Sequence, residues 1–303
     1  MADPSVSVCM PVYNGERFLR EAIESVLAQD YDDFELIVTD DASSDGSRDI
    51  VRSFHDPRLR FYQNEISLGI PGAWNMALSK ATGRYIKYLF QDDVMYPQCL
   101  SVMLDSLRRH ESAGIVFSRR DVKEEDGILA TDLYLYFKDL QAPLRRDNEL
   151  ECFQAGKQFL ETCILHGGLF CNLIAEPSFV MFDSALVDRV GYFDNRLRQN
   201  VDYEYWLRLL LVTDACFIDK PLGYFRLHNK SESLAGNKMD AKLRYLWEER
   251  VIIDNLISLA KRENASRVVE LLNSRQKWFY VYRFRFFLGQ RLARMARRIR
   301  EPE

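Results

Sequence analysis

The strongest constraint on the fold is an alternation, over residues 1–118, of short apolar runs with segments of helical periodicity. The apolar runs predict β-strands and are SVSVCMPV, FELIVTD, RLRFYQ, RYIKYLF and GIVFS. Between them lie patterns typical of helices, including GERFLREAIESVLAQ, PGAWNMALSKA and PQCLSVMLDSLRRH. Strands separated by helices of this length predict β-α-β units. The expected architecture is therefore an α/β fold with a mostly parallel central sheet flanked by helices.

The pattern changes farther along the chain. From Arg119 to Ala175 it loosens: DLYLYFKDLQAPLRRDNE predicts a loop or lid, and CFQAGKQFLETCILHGG predicts a helix. Regular elements are predicted again from SFVMF onward. The run DSALVDRV predicts a helix that Gly191 would cap at its C-terminus, and DYEYWLRLLLV also has a helical pattern. After PLGYFRLH the pattern is helical. We therefore expect an α/β domain over residues 1–235, with halves at about 1–118 and 119–235, and a C-terminal helical extension over 236–303.

Composition argues against several classes of protein. Of the 303 residues 47% are hydrophobic, which suits a globular core, and no apolar run reaches the length of about 18 residues that predicts a spanning helix. The start MADPSVSVCMPVYN lacks the basic and apolar regions of a signal peptide, so the expected location is the cytoplasm. Six cysteines occur without a C-x-x-C pair, which predicts buried thiols rather than a zinc site or disulfides.

The C-terminal segment is strongly basic although the whole chain has a net charge of −4. Between residues 275 and 300 there are many arginines and no acid, and apolar residues recur at helical spacing at Leu288, Leu292, Met295 and Ile299. This cationic amphipathic helix could lie peripherally on the cytoplasmic face of an anionic inner membrane. Alternatively, it packs on the body of the protein or on a second subunit in a homodimer. Nucleic acid is less favoured as a partner, because the basic patch is confined to one terminus.

Two pairs of acids fall where predicted strands end, namely Asp40 with Asp41 and Asp92 with Asp93. In an open α/β sheet, ligands bind beyond the carboxyl ends of the strands. The first pair lies in the turn-like DDASSDGS and could simply cap the next helix. The second pair consists of adjacent like charges, which a divalent cation would offset. Hard oxygen ligands favour Mg²⁺ or Mn²⁺, which also bind substrate phosphates, so the pair indicates a phosphorylated ligand.

Other phosphate-binding motifs are absent from the sequence. A P-loop fails because Gly156 and Lys157 are followed by Gln, and a dinucleotide-binding motif fails because PVYNGERF offers one glycine. Asp202, at the start of a predicted helix, has two readings: an acid favourable to the helix dipole, or a general base. His228 follows a predicted strand and is either incidental or a metal ligand.

Several longer segments together resemble a known family. They are SVSVCMPVYNGERFLREAIESVLAQDYDDFELIVTDDASSDGS, NEISLGIPGAWNMALSKATGRYIKYLFQDDVMYP, EPSFVMF, VGYFDNRL, VDYEYWLRLL and PLGYFRLHNKSES. In this order, over about residues 5–235, the chain resembles the inverting family 2 glycosyltransferases of the GT-A fold, of the bacterial cell-surface polysaccharide type. The resemblance implies transfer of a sugar from a nucleoside diphosphate sugar, UDP- or dTDP-linked, to a saccharide or lipid-linked saccharide.

The resemblance also implies a role for individual residues. Pro11, Tyr13, Asn14, Asp41 and Asn64 would line the nucleotide pocket, and Asp92 would contact the ribose. Asp93 would bind the metal ion, and Arg226 and His228 would lie near the diphosphate and metal, with His228 as a ligand. Asp202 would be the catalytic base. The implied cofactor is a divalent metal, Mn²⁺ or Mg²⁺.

The chain departs from the family pattern at three positions. Phe90 occupies the first Asp position of the D-x-D motif, Val201 replaces the Glu before the catalytic acid, and Trp74 stands where many relatives carry an Arg. Two other functions stay open. One is a phosphatase of the haloacid dehalogenase type, which would need an Asp after the first strand, where this chain has Pro11 to Asn14. The other is a non-catalytic module that binds a metal and a nucleotide sugar, in which Asp202 would have no role.

Overall fold

A mixed sheet forms the centre of the fold. The computed structural model describes residues 4–125, 151–167, 172–229 and 238–274, and these residues contribute nine strands to the sheet. The strand order is β3-β2-β1-β4-β8-β6-β9-β5, with β7 also paired to β9. The strands are β1 Val6–Val12, β2 Phe34–Asp40, β3 Leu59–Gln63, β4 Tyr85–Tyr88, β5 Val94–Met95, β6 Ala113–Glu124, β7 Glu151–Gln154, β8 Val180–Asp183 and β9 Asp214–Leu227.

Strand direction places several chain segments at one edge of this sheet. Strands β1 to β4 are mutually parallel, and β8 runs opposite to both β4 and β6. Because β9 is parallel to β6, it runs in the same direction as β1 to β4. The carboxyl ends of β1, β2, β3, β4, β6 and β9 therefore share one edge with the start of β8. The predicted α/β fold is confirmed.

Helices cover both faces of the sheet. They are α1 Leu19–Leu27, α2 Ser47–Arg52, α3 Gly69–Lys80, α4 Cys99–Arg109, α5 Gly156–Thr162, α6 Leu186–Val190, α7 Val201–Leu210 and α8 Lys238–Arg262. The buried side chains of α1 and α4 form one core with one face of the sheet. Those of α3, α5, α7 and α8 form the other core. No helix in the described ranges is long and apolar enough to cross a membrane.

Several local predictions can be compared with the structure. Gly191 does cap α6: it has φ of 82°, and its amide donates to the Val187 oxygen at 2.7 Å. Cys9, Cys99, Cys163 and Cys216 are buried and not in disulfides, as predicted. The predicted loop or lid within 126–150 and the basic segment 275–300 lie outside the described residues. The domain boundary near residue 235 stays a prediction.

The structure corrects the sequence reading at two strands. Residues 152–154, expected to begin a helix, instead belong to β7 (Glu151–Gln154), which pairs antiparallel with the first half of β9. Strand β9 is longer than the run PLGYFRLH indicates, because it extends from Asp214 to Leu227. Pro221 interrupts its pattern but opposes Arg119 at a register shift of β6, where the missing proline amide is tolerated.

Candidate active site

The loop after β1 is fixed to the loop after β4 by the side chain of Gln91. The Tyr13 amide donates to Gln91 Oε1 at 2.8 Å, and Gln91 Nε2 donates to the Tyr13 oxygen at 3.1 Å. A Cβ atom at Gly15 would overlap the Gln91 amide, so this approach needs a glycine. Pro11 is buried in β1 opposite Thr39, and Tyr13, just after β1, is 54% exposed.

Asn14 joins the loops after β1 and β2. Its φ of 51° lies in the left-handed region, which asparagine tolerates better than most residues. Its amide donates to Ser43 Oγ at 2.9 Å, and its Oδ1 accepts from the Ser44 amide at 2.8 Å. The backbone of the loop that follows Asp40 and Asp41 is therefore held by Asn14.

The carboxylate of Asp41 is buried and saturated with protein donors. It accepts from Asn64 Nδ2 at 2.8 Å, from the Ser67 hydroxyl at 2.7 Å, and from the amides of Leu68 and Gly69 at the start of α3. Asp41 thus binds the amino terminus of α3 and places Asn64 beside it. The predicted contact of Asp41 and Asn64 with a nucleobase stays a prediction.

Asp92 and Asp93 differ strongly in exposure. Asp92 is half-buried, and its Oδ2 lies 3.0 Å from His228 Nε2. Asp93 is fully buried; its Oδ1 accepts from the Arg226 amide at 3.1 Å, and its carboxylate also interacts with the Ser178 side chain. Burial, together with the negative charge of Asp92, raises the pKa of Asp93 well above its usual range.

The guanidinium of Arg226 is engaged by protein groups. It donates to Glu21 at 2.5 Å, to Glu125 at 2.6 Å and to the Asp92 backbone oxygen at 2.9 Å, and it lies over the Phe18 ring. Arg226 therefore connects β9 to α1, to the end of β6 and to the loop after β4. Its predicted contact with a diphosphate stays a prediction.

The donor atoms near His228 are compatible with a divalent cation. In the described part of the chain no three His, Cys, Asp or Glu side chains form a cluster that could hold a metal. Two donors, on Asp92 and His228, do lie together, and the buried carboxylate of Asp93 directly follows Asp92 in the chain. These residues fit a Mg²⁺- or Mn²⁺-like ion that completes its shell with water and substrate phosphate.

Asp202 is the second residue of α7, and both of its carboxylate oxygens accept hydrogen bonds. Asn172 Nδ2 donates to Oδ2 at 3.1 Å, and the Tyr203 amide donates to Oδ1 at 2.7 Å. Burial raises the pKa of Asp202 to about 7; the Tyr203 amide opposes this rise, and the negative charges of Glu176 and Glu248 add to it. Such a carboxylate can accept a proton near neutral pH.

Glu176 interacts electrostatically with both Asp202 and Asp93. Its charge raises the pKa of both Asp93 and Asp202, and its carboxylate is paired with Arg120 Nε at 2.7 Å. Since Glu176 precedes β8, it lies at the sheet edge where β4 ends. A cavity of about 260 Å³ lies elsewhere, between α6, α7 and α8, and no predicted site residue lines it.

Sequence reasoning missed three residues that shape this site: Gln91, Asn172 and Glu176. Gln91 and Glu176 lie inside segments that carry the family resemblance, so their position in the sequence could have identified them as candidate site residues. Asn172 had none, because it lies in the loosened segment. Trp74 and Phe90, two of the residues that depart from the family pattern, contact each other, with ring centroids 4.8 Å apart.

Comparison with known proteins identifies the family. The family model described as glycosyl transferase family 2 matches residues 7–161, about half of the chain. This chain belongs to glycosyl transferase family 2. The match covers the first loop through the Asp92–Asp93 pair and ends before Asn172 and Asp202. The family 2 assignment makes the chain a transferase of nucleotide-linked sugars.

The chain is also similar to individual proteins and to a solved structure. An uncharacterised protein of Mycobacterium tuberculosis is 34% identical over 74% of this chain and 68% of its own length. A glucosyltransferase of Escherichia coli, named UDP-Glc:α-D-GlcNAc-diphosphoundecaprenol β-1,3-glucosyltransferase WfgD, is 40% identical over 36% of this chain and 44% of its own. The structure of Staphylococcus aureus TarS residues 1–349 with UDP has a TM-score of 0.61 at 18% identity, over 89% of this chain and 71% of TarS, which supports the fold.

Proposed function

We propose that this family 2 protein is an inverting, metal-assisted glycosyltransferase that uses a UDP- or dTDP-linked sugar. The observation that carries the proposal is Asp202, a carboxylate held by Asn172 whose pKa of about 7 suits a general base. Support for the donor comes from two relatives, since TarS is solved with UDP and WfgD is named for UDP-glucose.

The proposed reaction is a single displacement at the anomeric carbon of the donor sugar. The acceptor hydroxyl oxygen forms a bond to this carbon while the bond from the carbon to the diphosphate oxygen breaks, so the configuration inverts. Asp202 takes the proton of the acceptor hydroxyl. The electron pair of the broken bond leaves with the nucleoside diphosphate.

The nucleotide of the donor would bind beyond the carboxyl ends of β1, β2 and β3. Tyr13, with Pro11 and Asn14 beside it, would offer an exposed ring for the base, and Asp41 would hold the Asn64 side chain, with which it is hydrogen-bonded, toward the base. Asp92, half-buried at the end of β4, would contact the ribose. Arg226 would act on the diphosphate side, either by direct contact or by holding the loop that carries Asp92.

A divalent cation, Mn²⁺ or Mg²⁺, would be held by Asp93 and His228, with Asp92 beside the His228 ring. When bound there, the ion supplies Lewis-acid stabilisation for the charge that develops on the diphosphate. The protein's own contribution is to keep His228 against the Phe18 ring, with centroids 5.0 Å apart, and next to the Asp92 carboxylate.

The acceptor in this proposal is a saccharide, free or linked to a lipid. The name of WfgD gives a diphosphoundecaprenol-linked acceptor, which supports the lipid-linked form. The basic segment 275–300 fits a peripheral position at the cytoplasmic face of an anionic membrane, in a polysaccharide biosynthesis pathway. Its apolar positions fit equally well in a homodimer interface. Nothing in the proposal requires nucleic acid.

The test compares Asp202→Asn with a matched control. The wild-type protein is screened with nucleotide sugars and Mn²⁺ for thermal stabilisation, and the best donor is used in a transfer assay. We expect Asp202→Asn to lower kcat by at least about 100-fold with donor affinity near normal. Asp188→Asn, which changes an exposed first-turn acid of α6, serves as control. Transfer at the wild-type rate by Asp202→Asn would refute the base assignment, and donor binding without turnover by the wild type would indicate a binding module.

A further inference from the structure

Glu248, on α8, places its carboxylate at the start of the helix that carries Asp202. The side chain is fully buried. Its oxygens accept hydrogen bonds from the amides of Arg198 at 2.9 Å, Gln199 at 3.2 Å and Asn200 at 3.1 Å, and from Asn200 Nδ2 at 2.8 Å. These three residues immediately precede α7, which begins at Val201.

This arrangement fixes the entry of the chain into α7. Three consecutive amides converge on one carboxylate, and charge-assisted hydrogen bonds of this kind are stronger than neutral ones. The site also lies at the amino terminus of a helix, where a negative charge is favoured by the helix dipole. Asp202 follows two residues after Asn200, so a shift of this segment moves the Asp202 carboxylate relative to the groups at the sheet edge.

We propose that Glu248 is a positioning residue for the general base Asp202, so that α8 completes the active site. The inference rests on the proposed function. It adds a residue that lies well beyond the range 7–161 matched by the family model and inside the segment that the sequence alone assigns to a separate extension. The extension, in this proposal, is part of the catalytic unit.

The charge of Glu248 gives the proposal a second, electrostatic consequence. The groups that face Asp202 are the amide of Asn172, the backbone amide of Tyr203, the acid Glu176 with its partner Arg120, and Glu248. Two negative charges thus oppose ionisation of Asp202. Replacing Glu248 by the neutral, isosteric Gln removes one of them and makes Asp202 easier to deprotonate.

The experiment measures kcat, the donor KM and the pH profile of kcat/KM for Glu248→Gln. We expect kcat at pH 8 to fall by about 10- to 100-fold, because a displaced base costs reactivity even when the donor binds normally. The donor KM should stay within about twofold of wild type. The acidic limb of the profile should shift to lower pH, which a purely structural defect would not produce.

Two control variants change the same helix without touching the 198–200 segment. Asn255 lies seven residues after Glu248 on the same helical face and donates to Glu204 Oε1 at 2.8 Å, so Asn255→Ala weakens the contact between α8 and α7. Asp254→Asn removes an exposed acid from α8. We expect neither control to shift the acidic limb.

Three outcomes decide the proposal. It is overturned if Glu248→Gln matches both controls in kcat and in the pH profile while Asp202→Asn is inactive, and in that case the proposed function still stands. If Asp202→Asn keeps wild-type activity, the proposed function fails first. If Glu248→Gln does not fold, Asn200→Ala, which removes only one donor to Glu248, replaces it: lower kcat at unchanged donor KM supports the proposal, and wild-type kcat overturns it.

Discussion

At the scale of single residues, the environment of Asp202 connects activity with stability. An acid with an ordinary pKa near 4 would be ionised at neutral pH but would be a weak base. Burial raises the pKa of Asp202 to about 7, so the ionised form is a stronger proton acceptor that still exists near neutral pH. The same burial makes ionisation of Asp202 unfavourable to the folded state.

The first prediction concerns the pH dependence of transfer. Because Asp202 must be deprotonated to act as a base, kcat/KM should fall about tenfold per pH unit below about pH 7 and level off above it. The measurement is a pH–rate profile of the wild-type protein at limiting donor. A plateau that extends down to pH 5 would contradict the assignment of Asp202.

The second prediction concerns stability. The folded-state pKa of Asp202, about 7, lies above the unfolded value near 4, so between these values the folded state binds more protons and loses stability as the pH rises. Asp202→Asn removes this loss. The variant should therefore be more stable relative to wild type at pH 8 than at pH 5, by Tm or urea unfolding. Equal differences at both pH values would show that Asp202 is not perturbed.

The third prediction tests Gln91 as the link between the first loop and the acids after β4. Gln91→Ala removes two hydrogen bonds to the Tyr13 backbone, so the donor KM should rise about three- to tenfold, with a loss of about 1 kcal/mol in the free energy of unfolding. Gln98→Ala is the matched control, because Gln98 makes no side-chain capping bond at the start of α4. An unchanged donor KM in Gln91→Ala would remove Gln91 from the site.

The acidic residues of this site could be predicted from the sequence, whereas most of their hydrogen-bond partners could not. Asp41, Asp92 and Asp202 stand at element ends, which the periodicity of the sequence predicts. Their hydrogen-bond partners come from distant segments, such as Asn172 for Asp202 and His228 for Asp92. No local pattern encodes a contact between residues this far apart in the chain.

At the scale of elements, the local pattern predicted strands well where both faces of the sheet are covered. Strand β2, for example, is buried at every position and matches the run FELIVTD. The short strands β5 and β7 were harder to predict from the sequence, because they form only by pairing with β9. Tertiary pairing, rather than intrinsic propensity, determines such strands.

Helix α7 provides the fourth prediction through a buried ion pair. Arg208 Nε lies 2.8 Å from Glu204 Oε1, and the Arg208 guanidinium also donates to the backbone oxygens of Val190 and Tyr192. Arg208→Ala leaves the buried Glu204 carboxylate without its countercharge, so it should cost about 3 to 5 kcal/mol in the free energy of unfolding.

The control for Arg208 is an exposed pair on the neighbouring helix α6. Arg189 Nη2 lies 2.7 Å from Glu263 Oε2, and the Arg189 side chain is 47% exposed. Arg189→Ala should cost at most about 1 kcal/mol, since exposed pairs contribute little. Urea unfolding of both variants measures the difference. Similar losses for Arg208→Ala and Arg189→Ala would mean that burial of the first pair does not matter.

At the scale of the whole molecule, α8 joins the C-terminal part of the chain to the segment that precedes α7. Its apolar side chains belong to the same core as α7, and Glu248 holds the segment before Asp202. The basic stretch 275–300 follows this anchored helix after a further helical segment at 266–274. Any surface that binds the basic stretch is therefore connected to a helix that contacts the segment just before Asp202.

The fifth prediction is that the basic stretch binds anionic membranes. Each Lys or Arg near such a surface contributes about 1 kcal/mol, and the apolar positions from Leu288 to Ile299 can enter the interface. The full chain should co-sediment with vesicles containing phosphatidylglycerol but not with pure phosphatidylcholine, and about 0.5 M NaCl should reduce binding through screening. A chain ending at residue 274, which keeps α8 and Glu248, should lose vesicle binding and keep transfer to a soluble acceptor. If truncation instead converts a dimer to a monomer and leaves vesicle binding unchanged, the segment packs on a second subunit.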